Sequence, residues 1–398
     1  MILVKILIVG AGASGLVLAI KLKMNRPELD VFVLEKNNKV GKKLLITGNG
    51  KCNMGNSDFS NPFLYRNKTL TELVFKTYGF NAQQEFFNKL GVKTKMMGNL
   101  SYPYSESART FVDYLYLVAL KYNVKFLFEE ELIDYSGSNN IVVKTNKNTY
   151  YVDKLVLSTG GKTYQKVGGS EVTFNLLAKH NYKMSSLHPG LCPVAVKEKV
   201  KSLAGVRVKA NVKLFINNAE VYEENGEVLF KDDGLSGIVI FNIASLIARN
   251  YLNEKNIKIV LDLFKDQSKD ELFKEFKAHN TDINLMRGYF VNSVSDYILK
   301  KINLSLDHNT FKDSEIMSLA NICKNLTFTF DKLYDFEKNA QVTIGGVQSN
   351  NFDEHLMSKL ENNVYFIGEI IDNDGLCGGY NLMWAFGSAL YLGDFLCK

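Results

Sequence analysis

The run Val4 to Val9 is almost wholly apolar, which predicts a parallel strand covered on both faces. A Gly-rich turn follows, and from Ser14 to Lys23 the residues Leu16, Ala19, Ile20 and Lys23 fall at helical spacing. Val31 to Leu34 is a second apolar strand ending at Glu35, so the first 35 residues predict a βαβ unit. Residues 70–120 predict amphipathic helices broken around Gly91 to Tyr104, and strands are expected at Val124–Phe128, Ile141–Lys144, Tyr150–Val152 and Leu155–Ser158.

The pattern changes after Pro189. Val206, Val208, Ala210, Val212, Leu214 and Ile216 alternate with polar residues, the signature of half-buried antiparallel strands. Asn217-Asn218 predicts a turn, and Asn225-Gly226 predicts a hairpin. Ile257 to Phe264 adds a strand. Between Asp270 and Asn325 the period becomes helical, with Phe290, Val291, Val294, Tyr297, Ile298 and Ile302 on one face. Leu326 to Phe330 and Val364 to Ile367 are again strands, and a helix from Asn381 to Leu396 closes the chain. The expected layout is an α/β domain of residues 1–190 and 335–398, interrupted by a β domain of residues 191–266 and 326–334, which is itself interrupted by a helical insert of residues 267–325.

The 398 residues carry 48 Lys and Arg against 42 Asp and Glu, a net charge of +6. The lysines are scattered among acids, so a nucleic-acid footprint is not expected. The five cysteines, Cys52, Cys192, Cys323, Cys377 and Cys397, form no CxxC pair and are odd in number, which disfavours a disulfide framework or a zinc ribbon and argues for a reducing cytoplasm. No apolar run reaches the length of a membrane span, and the N-terminal run lacks the basic start and cleavage site of a signal peptide.

Candidate chemistry lies in four Gly-rich segments. Gly10-Ala11-Gly12-Ala13-Ser14-Gly15 is a GxGxxG between a predicted strand and a predicted helix. Gly10 suits the tight turn, Gly12 close approach of backbone to a pyrophosphate, and Gly15 packing of helix on strand. Ala13 and Ser14 open a helix whose free N–H groups favour phosphate. Glu35, followed by Lys36, would accept ribose hydroxyls and repel a 2′-phosphate, which points to FAD or NAD here rather than NADP. The segment Val40 to Asn53 is dense in Gly, Asn and Lys, as expected of a loop lying along a cofactor. Lys43, Thr47, Gly48, Asn49, Gly50, Cys52 and Asn53 are its candidate contacts. Cys52 is expected to be a packed or lining thiol, since it has no partner cysteine. Thr159-Gly160-Gly161 ends a strand and brings bare backbone near the first loop. Gly368-Glu369, Asp372 and Gly378-Gly379-Tyr380-Asn381 form the fourth group, whose acids suit ribityl hydroxyls and whose helix start suits an electron-rich flavin ring. The acids Asp372 and Asp374 fall short of a metal loop, and no metal is expected.

These segments together resemble the aminoacetone-oxidase-type NAD(P)/FAD-dependent oxidoreductases, a family that includes a bacterial bile-acid dehydro-reductase. The resemblance rests on GAGASG at 10–15, GKKLLITGNGKCNMGN at 41–56, STGG at 158–161 and GEIIDNDGLCGGYNLMWAFGSA at 368–389. It extends to Gly226–Phe230, Asp233–Gly237 and Val342–Val347. One departure is Gly169–Phe174, where relatives carry a Gly-Asp-Gly-Tyr-like segment; close backbone contact with the cofactor is not expected there. The resemblance implies a Rossmann-like FAD domain interrupted by a β-barrel that carries a small helical insert. It also implies FAD as cofactor, with NAD(P)H docking transiently as electron donor and a small organic substrate meeting the flavin where the barrel faces it. Asn49, His188 and Tyr380 are the candidate catalytic residues, with Tyr164 a further possible proton source. Alternatives are an amine oxidase that uses O₂ and, with less support, an FAD-dependent RNA-modifying protein.

Overall fold

The apolar run at the N-terminus becomes strand β1 (Lys5–Val9), in which Ile6, Leu7 and Ile8 have no exposed surface. In the computed structural model, the described residues are 4–280, 285–304, 310–337 and 339–398; Met1 to Leu3 of the apolar run lie outside them. β1 leads through the Gly turn into helix α1 (Ala13–Asn25) and then into β2 (Asp30–Glu35). β1 and β2 pair in parallel from Lys5↔Asp30 to Val9↔Leu34. On its other side β1 pairs in parallel with Lys154–Leu157, which pairs with Val364–Phe366, while β2 pairs with Lys125–Phe128. The result is a five-stranded, all-parallel sheet. Its strands are continuous apolar runs because both faces are covered. The return from the outer strand Lys125–Phe128 to the central Lys154–Leu157 is made by a three-stranded antiparallel sheet, Leu132–Ser136, Ile141–Thr145 and Thr149–Val152.

The closing helix spans Tyr380–Leu396 and packs against α1. It is apolar nearly all round and most of its residues are buried, which is the pattern of a core helix. The predicted helical break at Gly91–Tyr104 is a hairpin, Thr94–Met97 with Leu100–Pro103. Chain contacts divide the molecule into two units, Met1–Pro189 with Ala340–Lys398, and Gly190–Asn339.

The second unit contains a closed antiparallel barrel of six strands: Val194–Val196, Gly234–Ser236, Ala219–Phe230, Arg207–Ile216, Ile257–Asp262 and Leu326–Leu333. Helices Lys269–Ala278, Asn292–Lys301 and Asp313–Lys324 follow in the segment between its last two strands. Two features differ from the sequence reading. The hairpin turn is Asn217-Asn218 alone, both at positive φ, whereas Asn225 and Gly226 sit inside the strand opposite Asn211 and Ala210. A side chain at 226 would press on Val239 at 3.0 Å, so glycine there serves packing beneath a helix and not a turn. That helix, Ile238–Asn250, was not anticipated. Its run Ile-Val-Ile-Phe-Asn-Ile is as β-prone as a strand by composition, and burial on the barrel makes it a helix.

One polar staple in the first unit has a pH signature. His180 Nδ1 lies 2.8 Å from Glu361 Oε1 and Nε2 lies 3.0 Å from Asp134 Oδ1, and the ring stacks on Tyr135 at 4.3 Å. Tyr135 and Tyr182 both donate to Glu361 Oε2 at 2.7 Å. Burial pulls the His180 pKa down, but its bonds to the two carboxylates outweigh this and the net shift is upward from 6.5. A raised folded pKa contributes stability that is full below the unfolded value and is lost as pH climbs through the folded one. The melting temperature of the protein should therefore fall as pH climbs above 6.5, by an amount that His180→Asn abolishes. Equal pH slopes for both proteins would show that the staple does not titrate.

Candidate functional site

The site grows from the end of β1. Gly10, at φ +105°, turns the chain so tightly that a Cβ there would lie 2.5 Å from the Ser158 carbonyl oxygen. Gly15 packs α1 down on this turn, and a Cβ there would sit 1.9 Å from the Gly10 oxygen. Gly12 differs from both. It is the N-cap of α1, no side chain caps the helix, and a Cβ built on it meets nothing within 4 Å. The first turn of α1, with Ala13 and the buried Ser14, thus presents backbone N–H groups to open space, an arrangement suited to an anion. Glu35 stands at the end of β2, buried, with its carboxylate accepting from Ala11 N at 2.9 Å, Asn37 N at 2.8 Å and Asn37 Nδ2 at 2.7 Å. Those three bonds fix the carboxylate's orientation beside the turn. Lys36 points away, 3.8 Å from Glu131.

The strand end Thr159-Gly160-Gly161 lies beside this turn, as Ser158 Oγ donates to the Val9 and Gly10 carbonyls. Thr159 Oγ1 is buried and meets no hydrogen-bond partner among the described residues. Gly161 has no room for a side chain, since a Cβ would lie 2.3 Å from Thr343 Oγ1 and 2.7 Å from Glu369 Oε1. Glu369 is the hub here. It binds Lys43 Nζ at 2.7 Å and accepts from Thr343 N at 3.0 Å, while Lys43 also donates to Thr163 Oγ1 at 2.6 Å. Three of the sequence candidates, Lys43, Gly161 and Glu369, are therefore joined through Thr163 and Thr343, two residues the sequence reading missed. Thr343 lies in the Val342–Val347 segment of the resemblance without a contact assigned to it, no motif marks Thr163, and only the fold brings residues 43, 163, 343 and 369 together.

The second loop forms short turns at Leu44–Gly50, in which Thr47 is extended and Gly48 and Asn49 adopt positive φ. Thr47 donates to the Leu44 carbonyl. Gly48 and Asn49 are exposed, and Gly50 faces open space. Cys52 is fully buried, and burial pushes its thiol up to about 12, so it packs and does not ionise. The Asn53 amide donates to the Gly55 and Ser101 carbonyls and accepts from Gly379 N, tying this loop to the fourth segment.

In that segment Gly368 N donates to Ser388 Oγ and the Gly368 carbonyl accepts from Trp384 Nε1, both at 3.0 Å. Asp372 pairs with Arg66 at 2.9 Å and accepts from Ser185 Oγ at 2.5 Å. His188, half-buried on the strand Met184–Gly190, is held below its usual pKa by burial and by the nearby Arg66 charge. Arg66 thus pairs with Asp372 and its charge reaches His188, and the sequence carries no signal for it. Tyr380 is buried in an aromatic cluster with Phe59 and Tyr65, and its hydroxyl donates to the Asp58 carbonyl at 2.5 Å. That proton is committed within the fold, which places Tyr380 as a strut. Asn381 brackets the loop by bonding both the N–H and the carbonyl of Gly375. Gly378 and Gly379 pass against Asn56 and Gly55. Tyr164 has a left-handed backbone and lies under Lys43 Nζ, 6.0 Å from its ring centre. Gly169 packs against the Thr163 carbonyl, and the helix Val172–Lys179 opens just after it.

The arrangement fits a dinucleotide. The open, uncapped helix start suits its pyrophosphate, the oriented Glu35 suits a ribose, and the orphaned Thr159 hydroxyl offers a further bond. Among the described residues no group of three or more His, Cys, Asp and Glu is placed to hold a metal ion. Nor is any helix long and apolar enough to cross a membrane.

Over 97% of both chains, the sequence is 29% identical to a 3-dehydro-bile acid delta(4,6)-reductase of Clostridium scindens. It is 26% identical to a ribosomal RNA dihydrouridine synthase of Escherichia coli, over 96% of this chain and 95% of that one. Among solved structures, a 3-ketosteroid delta1-dehydrogenase from Sterolibacterium denitrificans superimposes with a TM-score of 0.51 at 12% identity, covering 98% of this chain and 99% of that one, which shows a shared fold. Residues 4–395 match one family throughout, and the chain belongs to it: the HI0933-like protein Rossmann domain family.

Proposed function

We propose that this FAD-dependent oxidoreductase draws electrons from NAD(P)H and saturates a carbon–carbon double bond conjugated to a carbonyl in a small organic substrate. The observation that carries the cofactor is the start of α1, uncapped and open above Gly12, with Glu35 held beside it. A bound flavin supplies the hydride-carrying centre. The chain's part is to hold and orient. Gly12, Ala13 and Ser14 would take the pyrophosphate, and Glu35 the adenosine ribose. Thr159, Gly160, Lys43 and Glu369 would line the path toward the ring, and Asp372 the ribityl chain. Lys43 and Glu369 neutralise each other, so their pair sets a rigid wall without adding net charge.

The chemistry of the substrate is supported by the relatives' names. A delta(4,6)-reductase and a dihydrouridine synthase both describe hydrogenation of a double bond conjugated to a carbonyl. Such a reduction adds hydride to one carbon and a proton to its neighbour. His188, beside Arg66, is positioned on a strand next to the Asp372 loop and is the group we assign to proton supply.

The RNA reading has a specific observation in its favour, the ribosomal RNA relatives of Escherichia coli and Haemophilus influenzae, the latter at 24% identity. Against it, Gly190–Asn339 carries 21 Lys and Arg and 21 Asp and Glu, so this whole unit offers no net positive charge to a phosphate backbone.

The deciding experiment is anaerobic. The holoenzyme is mixed with NADPH or NADH and a panel of conjugated enones, and flavin bleaching and acceptor-dependent NAD(P)H loss are followed. Turnover with an enone supports the reading. Peroxide release from an amine and O₂ without NAD(P)H would replace it with an oxidase, and a gain of two hydrogens on ribosomal RNA uridine would replace it with RNA modification.

A further inference from the structure

A patch beside the second Gly loop has no part in the cradle. The strand Leu100–Pro103 pairs with Gly55–Asn56, directly downstream of that loop, and Met54 N bonds the Ser101 carbonyl at 2.7 Å. Its hairpin partner, Thr94–Met97, sets Lys95 opposite Tyr102. Just beyond the hairpin, Tyr104 is 60% exposed. Two ammonium groups lie over it, Lys93 Nζ at 4.6 Å from the ring centre and Lys95 Nζ at 5.9 Å. Lys95 and Lys51 share one carboxylate, Glu106, with Lys51 Nζ at 2.8 Å. From Gly91 to Val112 the chain bears Lys93, Lys95 and Arg109 against that single acid. The patch therefore combines excess positive charge with a solvent-exposed ring on which mobile lysine side chains rest.

We propose that Lys93, Lys95 and Tyr104 form a docking site for the phosphorylated adenosine end of NADPH. Aromatic rings stack on purines, and lysines beside the ring meet a phosphate as point charges. The 2′-phosphate needs such a site, because Glu35 would repel it from the fingerprint at α1. The patch is one ring and a few cations wide, which suits a mononucleotide end better than a nucleic-acid track. The inference rests on the proposed NAD(P)H donor, and its test separates the two.

The test uses FAD-loaded protein, so that the fingerprint site is filled, and 2′,5′-ADP as the probe. Calorimetry should show saturable binding by the wild type. The double variant Lys93→Ala/Lys95→Ala and the single variant Tyr104→Ser should each bind about tenfold more weakly, with a matching rise in KM for NADPH and a smaller one for NADH. Lys89→Ala, an exposed lysine paired with Glu85 on a neighbouring helix, should bind as the wild type does. Absence of 2′,5′-ADP binding, or variants within about twofold of wild type, overturns the site. So does displacement of the probe by a ribosomal RNA fragment but not by NADPH. If the probe binds as expected while NADPH never bleaches the flavin, the patch stands and the proposed electron donor falls.

Discussion

Gly12→Val should give a folded but colourless protein. Valine fits the backbone there, since Gly12 has φ −80° and a Cβ meets nothing within 4 Å. The methyl groups would instead fill the space over the α1 N-terminus, where a pyrophosphate has to sit within hydrogen-bond reach of the N–H groups. Loss of those bonds should weaken FAD by at least about 100-fold, or about 2.8 kcal/mol. The check is flavin absorbance after purification, together with thermal melts run with and without added FAD. Wild type should melt higher with FAD by mass action, and the variant should show no such shift. A yellow Gly12→Val protein with a normal FAD-dependent shift would mean that the open space above α1 is not the pyrophosphate site. Gly15→Val should behave differently: its Cβ would strike the Gly10 carbonyl, so it should fail to fold with or without flavin.

The second large effect is expected at Trp384. It is 1% exposed in the closing helix, and its Nε1 holds the Gly368 carbonyl at 3.0 Å. Trp384→Ala removes the largest fully buried side chain and leaves that carbonyl with the Ile371 N–H, at 3.2 Å, in place of two donors. The cavity should cost about 3–5 kcal/mol. The lost donor should add about 1 kcal/mol. Against a total stability of about 5–15 kcal/mol, that leaves a marginal protein. Urea unfolding should show a much lower midpoint for Trp384→Ala and a far smaller drop for Trp384→Phe. Because Gly368 precedes Glu369, the alanine variant should also release flavin more readily, seen as rising flavin fluorescence at urea concentrations where the fold persists. A midpoint within about 1 kcal/mol of wild type would show that the helix does not carry this load.

Much of the architecture could be read along the chain because its signals are local. Continuous apolar runs marked the parallel strands, and the Gly spacing marked the tight turn between β1 and α1. Strand alternation around Val206–Ile216 marked antiparallel strands of a barrel or a sandwich, and the family resemblance pointed to the barrel. The misread positions were those where a local signal was overruled at a distance. Asn225-Gly226 has the composition of a turn, but Val239 of a helix packs on it and the strand runs straight through. Ile238–Asn250 was assigned no element by its pattern, and it lies as a helix.

The site divides in the same way. Which segments carry bare backbone and acids was determined by the sequence alone: Gly10 to Gly15, Glu35, Gly41 to Asn53, Thr159 to Gly161 and Gly368 to Asn381. That is so because a positive φ or a contact without Cβ demands glycine wherever it occurs. What those residues touch was decided only by the tertiary structure. Lys43 and Glu369 are 326 residues apart and form one ion pair, Arg66 pairs with Asp372, and the Tyr380 proton is spent on a backbone carbonyl. Hydrogen bonds and ion pairs act over a few ångströms between residues that are remote along the chain. Their partners are therefore set by how the strands and loops converge, and no spacing in the sequence records it.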